Sequence, residues 1–402
     1  ERKRLINQKI MTMDEFISKT LFTYDERAIY YLVNNYNIRY DIAITYLKNM
    51  IYVNDTTMLS TLKKDLINHN LLICNDFVNN LKNTKITVYR YPLNKFEKSI
   101  LSNYDYVEKN VQLKNKKYDV YEFNSIEEEV NYIANKIIEL INNGVGINKI
   151  KLMNIDDEYK EYVLRIFKFY NIPIEVSYTL YSNPSAIKFI NDLKLVRNKE
   201  KAISLVENSY IKKQIINILN DYSFINDIDD KFIDIIESTM KNTNLIYKKY
   251  QNKIEIINHI NEGDYIFLLG FNDAYPKYYK DEDYFSDKIK QQLNIDTSIE
   301  KNNILEQELI NEFNVANITF TYSKKTSSGE FQISSISTNL DYELKTIDYK
   351  NYNHSNIYNK LLLAKFLDEK NKYNIIDKSL NKLYFNYKSM DYKKYDNQFT
   401  YI

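Results

Sequence analysis

The chain has 402 residues, 44% hydrophobic and 27% charged, and its 55 Lys and Arg against 54 Asp and Glu leave a formal net charge of +1. That length allows two or three domains with sizeable cores, and the near-neutral balance excludes a bulk basic surface, so any nucleic-acid contact has to come from local patches. One cysteine, Cys74, excludes an internal disulfide or a cysteine-rich zinc site and fits a reducing compartment. No apolar run approaches about 18 residues and the start, ERKRLINQKI, has no signal-peptide core; the expected setting is cytoplasmic, with no membrane partner. The 39 tyrosines beside only five glycines and four prolines point to an AT-rich coding sequence rather than a function, so runs of Lys and Asn carry little weight.

In chain order, Ile10-Met11 reads as a strand end and Thr12 as the cap of a helix, with Glu15 three residues on as in a capping box. Residues 24–80 keep helical periodicity through Ala28, Ile29, Leu32 and Val33, then Leu59, Leu62, Leu66 and Ile67, which predicts a helical subdomain. A β-rich run at 86–89 is closed by Pro92, and a helix is predicted over 95–102. Residues 118–123 alternate as a strand, and Asn124-Ser125 then caps a helix over 127–142. Glu127, Glu128 and Glu129 occupy its first turn, where carboxylates complement the helix dipole. Successive helical residues point about 100° apart, so the trio reads as a charged helix start and not as a metal site. A Gly144-Val145-Gly146 turn leads to a strand at 150–153, a helix over 159–170, the edge segment Ile172-Pro173-Ile174 and a helix from Asn183-Pro184. Residues 197–262 read as helical and polar, with Ile215, Ile216, Leu219, Phe232, Ile235 and Ile236 as core positions.

The stretch 264–337 is the most informative. Its apolar run 265–269 ends at Gly270 and is followed by Phe271-Asn272-Asp273 and Pro276, the way a buried parallel strand delivers a loop to its C-terminal edge. Ligands of open α/β sheets bind at that edge. A helix over 304–316 leads to a second β-like run, 318–322, ending in Ser323 and a Lys/Thr/Ser/Gly turn. Because helices separate 150–153, 265–269 and 318–322, the three are expected to be neighbouring parallel strands of one sheet. From Thr338 onward the alternation is lost and the chain reads as a linker, with one better helix at 357–369.

Most catalytic patterns are missing. A phosphate cradle needs glycine backbone close to the phosphates and a following lysine, yet none of Gly144, Gly146, Gly263, Gly270 and Gly329 precedes such a Lys-Ser or Lys-Thr. His69, His259 and His354 lack the spacing of a metal helix, and Asp281-Glu282-Asp283 with Asp287 has no ligand-spaced partner. The trios Glu343-Leu344-Lys345, Asp348-Tyr349-Lys350, Asp368-Glu369-Lys370 and Asp391-Tyr392-Lys393 spell a nuclease signature, but in so Asp- and Lys-rich a region they match by chance.

In order and spacing the chain resembles the AddB/RexB-type subunit of bacterial helicase–nucleases, within the superfamily 1 helicase-like, PD-(D/E)XK nuclease family proteins. The resemblance is carried by 116–195, with its Glu-Glu helix start, glycine turn, tyrosine-led helix, Ile-Pro and Asn183-Pro184. It continues in 264–337, through Leu269-Gly270-Phe271-Asn272 with Pro276, Phe285-Ser286-Asp287, and Thr321-Tyr322-Ser323 with Gly329. It implies an α/β fold: a RecA-like parallel-sheet domain of superfamily 1 helicase type, with helical subdomains. A remnant of the first helicase-like domain would occupy 1–115, and the second 116–337 with a helical insertion at about 197–262. A linker at 338–402 would lead toward a nuclease domain, introduced by a phrase such as Tyr395-Asp396-Asn397-Gln398-Phe399, so the chain is expected to be an internal portion of a longer protein.

An active motor of this superfamily carries an arginine in the helix matching 304–316 to stabilise the transferring phosphate, whereas Arg197 is the last arginine here. The resemblance therefore implies a non-motor portion of a DNA-end-processing subunit in recombinational double-strand break repair. No cofactor is expected in this chain, and its partners would be single-stranded DNA and an AddA-type helicase subunit. The threonine at the position of Thr12 faces single-stranded DNA in the resembled proteins. Lys277 beside Tyr275 and Tyr278, and Lys324 and Lys325 beside Tyr322, supply the basic and aromatic groups that a single-strand track needs, with Asn272 as a further candidate contact on the same loops. A truncated ATP-dependent DNA helicase and a protein-interaction scaffold without DNA affinity are the alternatives.

Overall fold

A computed structural model describes residues 9–53, 58–73, 84–109, 116–245, 250–282 and 286–346, together with Ser355, Leu361, Leu363, Ala364 and Leu367. Two compact units interleave along the chain where the sequence suggested consecutive domains: Glu1–Asn110, Ser177–Ile246 and Tyr279–Ile304 form one, and Val111–Val176, Tyr247–Tyr278 and Leu305–Ile402 the other.

The second unit is mixed α/β around a six-stranded sheet. Its elements are β1 (Lys117–Phe123), α1 (Ile126–Asn142), β2 (Ile150–Met153), α2 (Asp157–Phe169), β3 (Glu255–Ile257), β4 (Tyr265–Leu268), α3 (Ser298–Val315) from Leu305 onward, β5 (Asn317–Ser323) and β6 (Asp341–Thr346). The spatial order is β6-β1-β5-β4-β2-β3, and every pair is parallel. The expected neighbours β2, β4 and β5 do lie side by side, with Tyr265 opposite Ile150 on one flank and Asn317 on the other. All four β2 residues are buried, as strands covered on both faces require.

Alternate strand residues sort onto two cores. Phe267 and Leu152 join Val130, Ile133 and Ile137 of α1 and Val163, Ile166 and Phe167 of α2. Ile266 and Leu268 join Leu309 and Phe313 of α3, with Phe271, Phe320 and Ile336. Strand β2 therefore hands the chain to one face and its neighbour β4 to the other; β1 and β5 do the same. These are topological switch points, the places where an open α/β sheet forms a crevice at its C-terminal edge.

Three expectations need correction. The segment read as a linker contributes strand β6, running parallel to β1. It is a polar edge strand, held by ion pairs between Glu343 and Lys117 and between Lys345 and Asp119, so the hydrophobic alternation that marks interior strands is missing. The run 197–262 is not helical throughout: its helices end with Asp230–Asn242, and Glu255–Ile257 is the edge strand β3. No strand precedes Thr12 among the described residues, and Ile10 is exposed. The helix expected at 357–369 falls almost wholly outside the described residues.

In the first unit, helices Glu26–Asn35, Tyr40–Asn49 and Met58–Asn68 share one core with Pro184–Val196, Ser209–Asp221 and Asp230–Asn242, around Leu32, Leu47, Leu66, Phe189, Ile215 and Phe232. The helical subdomain and the helical insertion thus bury their apolar faces against one another. Ile86–Tyr89 pairs in parallel with Tyr106–Lys109.

Candidate nucleic-acid interface at the sheet edge

The C-terminal edge of the sheet is organised by Glu129, which the sequence pattern places on a charged helix start. The reading of the Glu127-Glu128-Glu129 run as a charged helix start fits Glu128, which accepts from the Asn124 N–H at 3.1 Å, and Glu127, 3.7 Å from Arg165. It fails for Glu129, which is fully buried. The rotation of about 100° per residue that keeps the three from sharing a site also turns one of them inward. Glu129 Oε1 accepts from the Gly270 N–H at 3.0 Å and from the Thr321 hydroxyl at 2.6 Å, and Oε2 accepts from the Tyr159 hydroxyl at 2.7 Å. One carboxylate thus ties α1 to α2, to the end of β4 and to β5. Burial pushes its pKa up to about 7, while the three donors pull the other way.

Beside it the β2/β4 crevice is filled by the chain itself. Asn154 takes a left-handed conformation, φ +62°, and its Nδ2 donates to the carbonyls of Leu269, at 2.8 Å, and Gly270, at 3.2 Å. Gly270 has φ +59°, and a Cβ there would stand 3.3 Å from Asn154 Nδ2 and from the Tyr159 ring. Glycine meets both demands, positive φ and close approach.

At the β1/β5 switch point, the Tyr322 hydroxyl donates to Glu122 Oε2 at 2.6 Å and Lys324 Nζ lies 3.0 Å from Glu122 Oε1. These contacts, Tyr322 first, hold the Glu122 carboxyl below its ordinary range. At the N-terminus of α1, where a parallel sheet commonly seats a phosphate, Ser125 Oγ accepts from the Glu128 N–H. The helix start is capped by its own side chains, those of Ser125 and Glu128.

The proposed track residues scatter. Tyr322 is 3% exposed and packed in the core, so its ring is not a stacking platform. Asn272 is 5% exposed and spends its Oδ1 on the Ala274 N–H within the turn. Lys324 is engaged with Glu122, and Lys325 pairs with Glu330 at 2.9 Å across the hairpin of Lys325–Thr326 and Gly329–Glu330. The neighbouring Tyr275 is buried, and Tyr278 donates to Glu306 at 2.6 Å. Lys277 is exposed, on the loop after β4. Thr12 belongs to the other unit, where its hydroxyl accepts from the Glu15 N–H and caps Met13–Thr20. Acidic groups share the edge. Asp156 caps α2 through the Tyr159 N–H, Glu158 accepts from the Ser327 N–H, and Asp273 is exposed.

Of the nuclease-like trios, Glu343-Leu344-Lys345 lies in β6 with both charges paired, and the other three fall outside the described residues. Asp287, in the first unit, accepts from the Ser298 N–H and hydroxyl and is a structural cap. No protein-family model matches the chain, and no curated protein matches it at the stringency applied.

Proposed function

We propose that the chain is a non-motor, helicase-like portion of a DNA-end-processing subunit of the helicase–nuclease type, which engages single-stranded DNA and docks a separate helicase subunit. The observation that supports this reading is the strand arrangement: β2, β4 and β5 are adjacent and parallel, and their loops leave at one edge. The non-motor part follows from the absence of a glycine cradle in the sequence and of any arginine after Arg197, since phosphoryl transfer relies on both kinds of group.

Electrostatics restricts the DNA contact. Lysines already paired with carboxylates release few counterions on binding phosphate, so affinity by this unit is weak and shallow in its salt dependence. Lys277 is the basic group to change first. Fluorescence anisotropy with a single-stranded oligonucleotide at low salt tests the reading: the parent chain binds, and Lys277→Glu weakens binding with unchanged circular dichroism. Binding equal in parent and variant moves the contact elsewhere. No binding by the parent favours the second reading, a protein-docking scaffold, which the pairing of Lys324 and Lys325 and the acidic edge support.

A further inference from the structure

On the α3 face of the sheet, in the second unit, three side chains from two separate segments converge. Glu308 and Glu312 stand one helical turn apart on α3, and His259 arrives from the connection between β3 and β4. His259 Nδ1 lies 3.2 Å from Glu312 Oε1, and one ligand-capable atom from each of the three lies within 4.8 Å of the others. Four residues apart is the spacing that puts two helical side chains on the same face. The two carboxyls are half-buried, and burial is the main reason both are held above the ordinary carboxylate range, with Glu308 adding to the rise at Glu312. The contact with His259 offsets part of that rise, helped at Glu312 by a backbone hydrogen bond from Ile260.

On the same face, packed with Leu309 and Phe313 of α3, Tyr275 gives an independent sign of an incomplete arrangement. The Tyr275 side chain is 92% buried, its hydroxyl has no hydrogen-bond partner, and the Glu312 charge acts on it. Buried polar atoms are nearly always paired, and a hydroxyl left unpaired against α3 is available to water held by an ion on that face.

We propose that His259, Glu308 and Glu312 form a binding site for a divalent first-row transition metal ion, with Tyr275 as an outer hydroxyl. One imidazole and two carboxylates suit Zn²⁺, Mn²⁺ or Co²⁺ better than the all-oxygen shells of Mg²⁺ and Ca²⁺. Ligands about 2.1 Å from a tetrahedral ion stand roughly 3.4 Å apart, so atoms already within 4.8 Å of one another need only small side-chain rotations to close the set. Three protein ligands leave at least one position for water or an external donor, and exposure of His259, 82%, makes the ion exchangeable.

Co²⁺ alone, titrated into the purified full chain, tests the site through its visible d–d absorption and through calorimetric stoichiometry. One equivalent is expected to bind with visible bands. His259→Ala and Glu308→Gln should each weaken that binding by at least about tenfold, while His69→Ala, in the other unit, should leave it unchanged. Loss in His259→Ala cannot be assigned to unfolding if the far-ultraviolet circular dichroism and the denaturation midpoint in the absence of metal match the parent, as an exposed side chain predicts. Unchanged affinity and spectrum in His259→Ala overturn the proposal, as does the absence of saturable binding in the parent.

Discussion

Glu129 is the residue whose replacement tells most about this fold. Its folded pKa, about 7 against an ordinary 4.5, means that between those pH values the native state holds a proton that the unfolded chain has released. The native state binding more protons makes stability fall as pH rises through that window, and leaves the full contribution in place below about pH 4.5. The shift corresponds to on the order of 3 kcal/mol between the two limits.

Glu129→Gln removes the titration while keeping the shape: its amide oxygen can still accept from Gly270 and Thr321, and Tyr159 can turn to accept from the amide nitrogen. Glu129→Ala instead strands two buried donors, the Gly270 N–H and the Tyr159 hydroxyl, and leaves the Thr321 hydroxyl with only its longer bond to the Leu268 carbonyl at 3.3 Å. At about 1–3 kcal/mol for each unsatisfied group that cannot find another partner, plus the cavity, the alanine variant should lose roughly 3–6 kcal/mol. Urea denaturation followed by circular dichroism at several values between pH 4.5 and 8 measures all three proteins. The parent should lose stability across the window, Glu129→Gln should lose much less, and Glu129→Ala should be the least stable at every pH. A glutamine variant with the parent's pH slope would refute the reasoning, since the titrating group would then lie elsewhere.

Gly270→Ala should cost about 1–3 kcal/mol in the same assay, because φ +59° disfavours a side chain and the new Cβ meets Asn154 and Tyr159 at 3.3 Å; a neutral effect would mean that the loop after β4 relaxes freely. Tyr322→Phe should destabilise by about 1–2 kcal/mol through loss of the bond to Glu122, with oligonucleotide anisotropy unchanged; a selective loss of DNA binding would instead place the Tyr322 hydroxyl at the DNA. The Lys277→Glu experiment above carries the corresponding expectation for phosphate contact.

Local chemistry made several elements legible. The β-rich runs of β2, β4 and β5 are short and bounded by turn residues, and Ser125 and Thr12 are caps whose side chains accept the backbone N–H groups the pattern predicts. Parallel pairing followed from the helices between the strands, which leave no room for hairpins. Tertiary structure alone decided the rest. Strand β6 has no apolar signature because an edge strand of charged residues is stabilised by Lys117 and Asp119 of its neighbour, more than 200 residues earlier. The helices of 24–80 and of 184–242 merge into one core because each amphipathic face needs a partner, and periodicity shows that a face is apolar without saying what covers it. Tyr322 looks like a stacking platform in the sequence, yet lies in the core because its strand is covered on both faces. Glu129 and the group of His259, Glu308 and Glu312 depend on contacts across 30 to 192 residues. A charged side chain at a helix start or on a polar helix has the same local pattern whether it meets solvent or the inside of a sheet edge, and only the packing of the strands against it settles which.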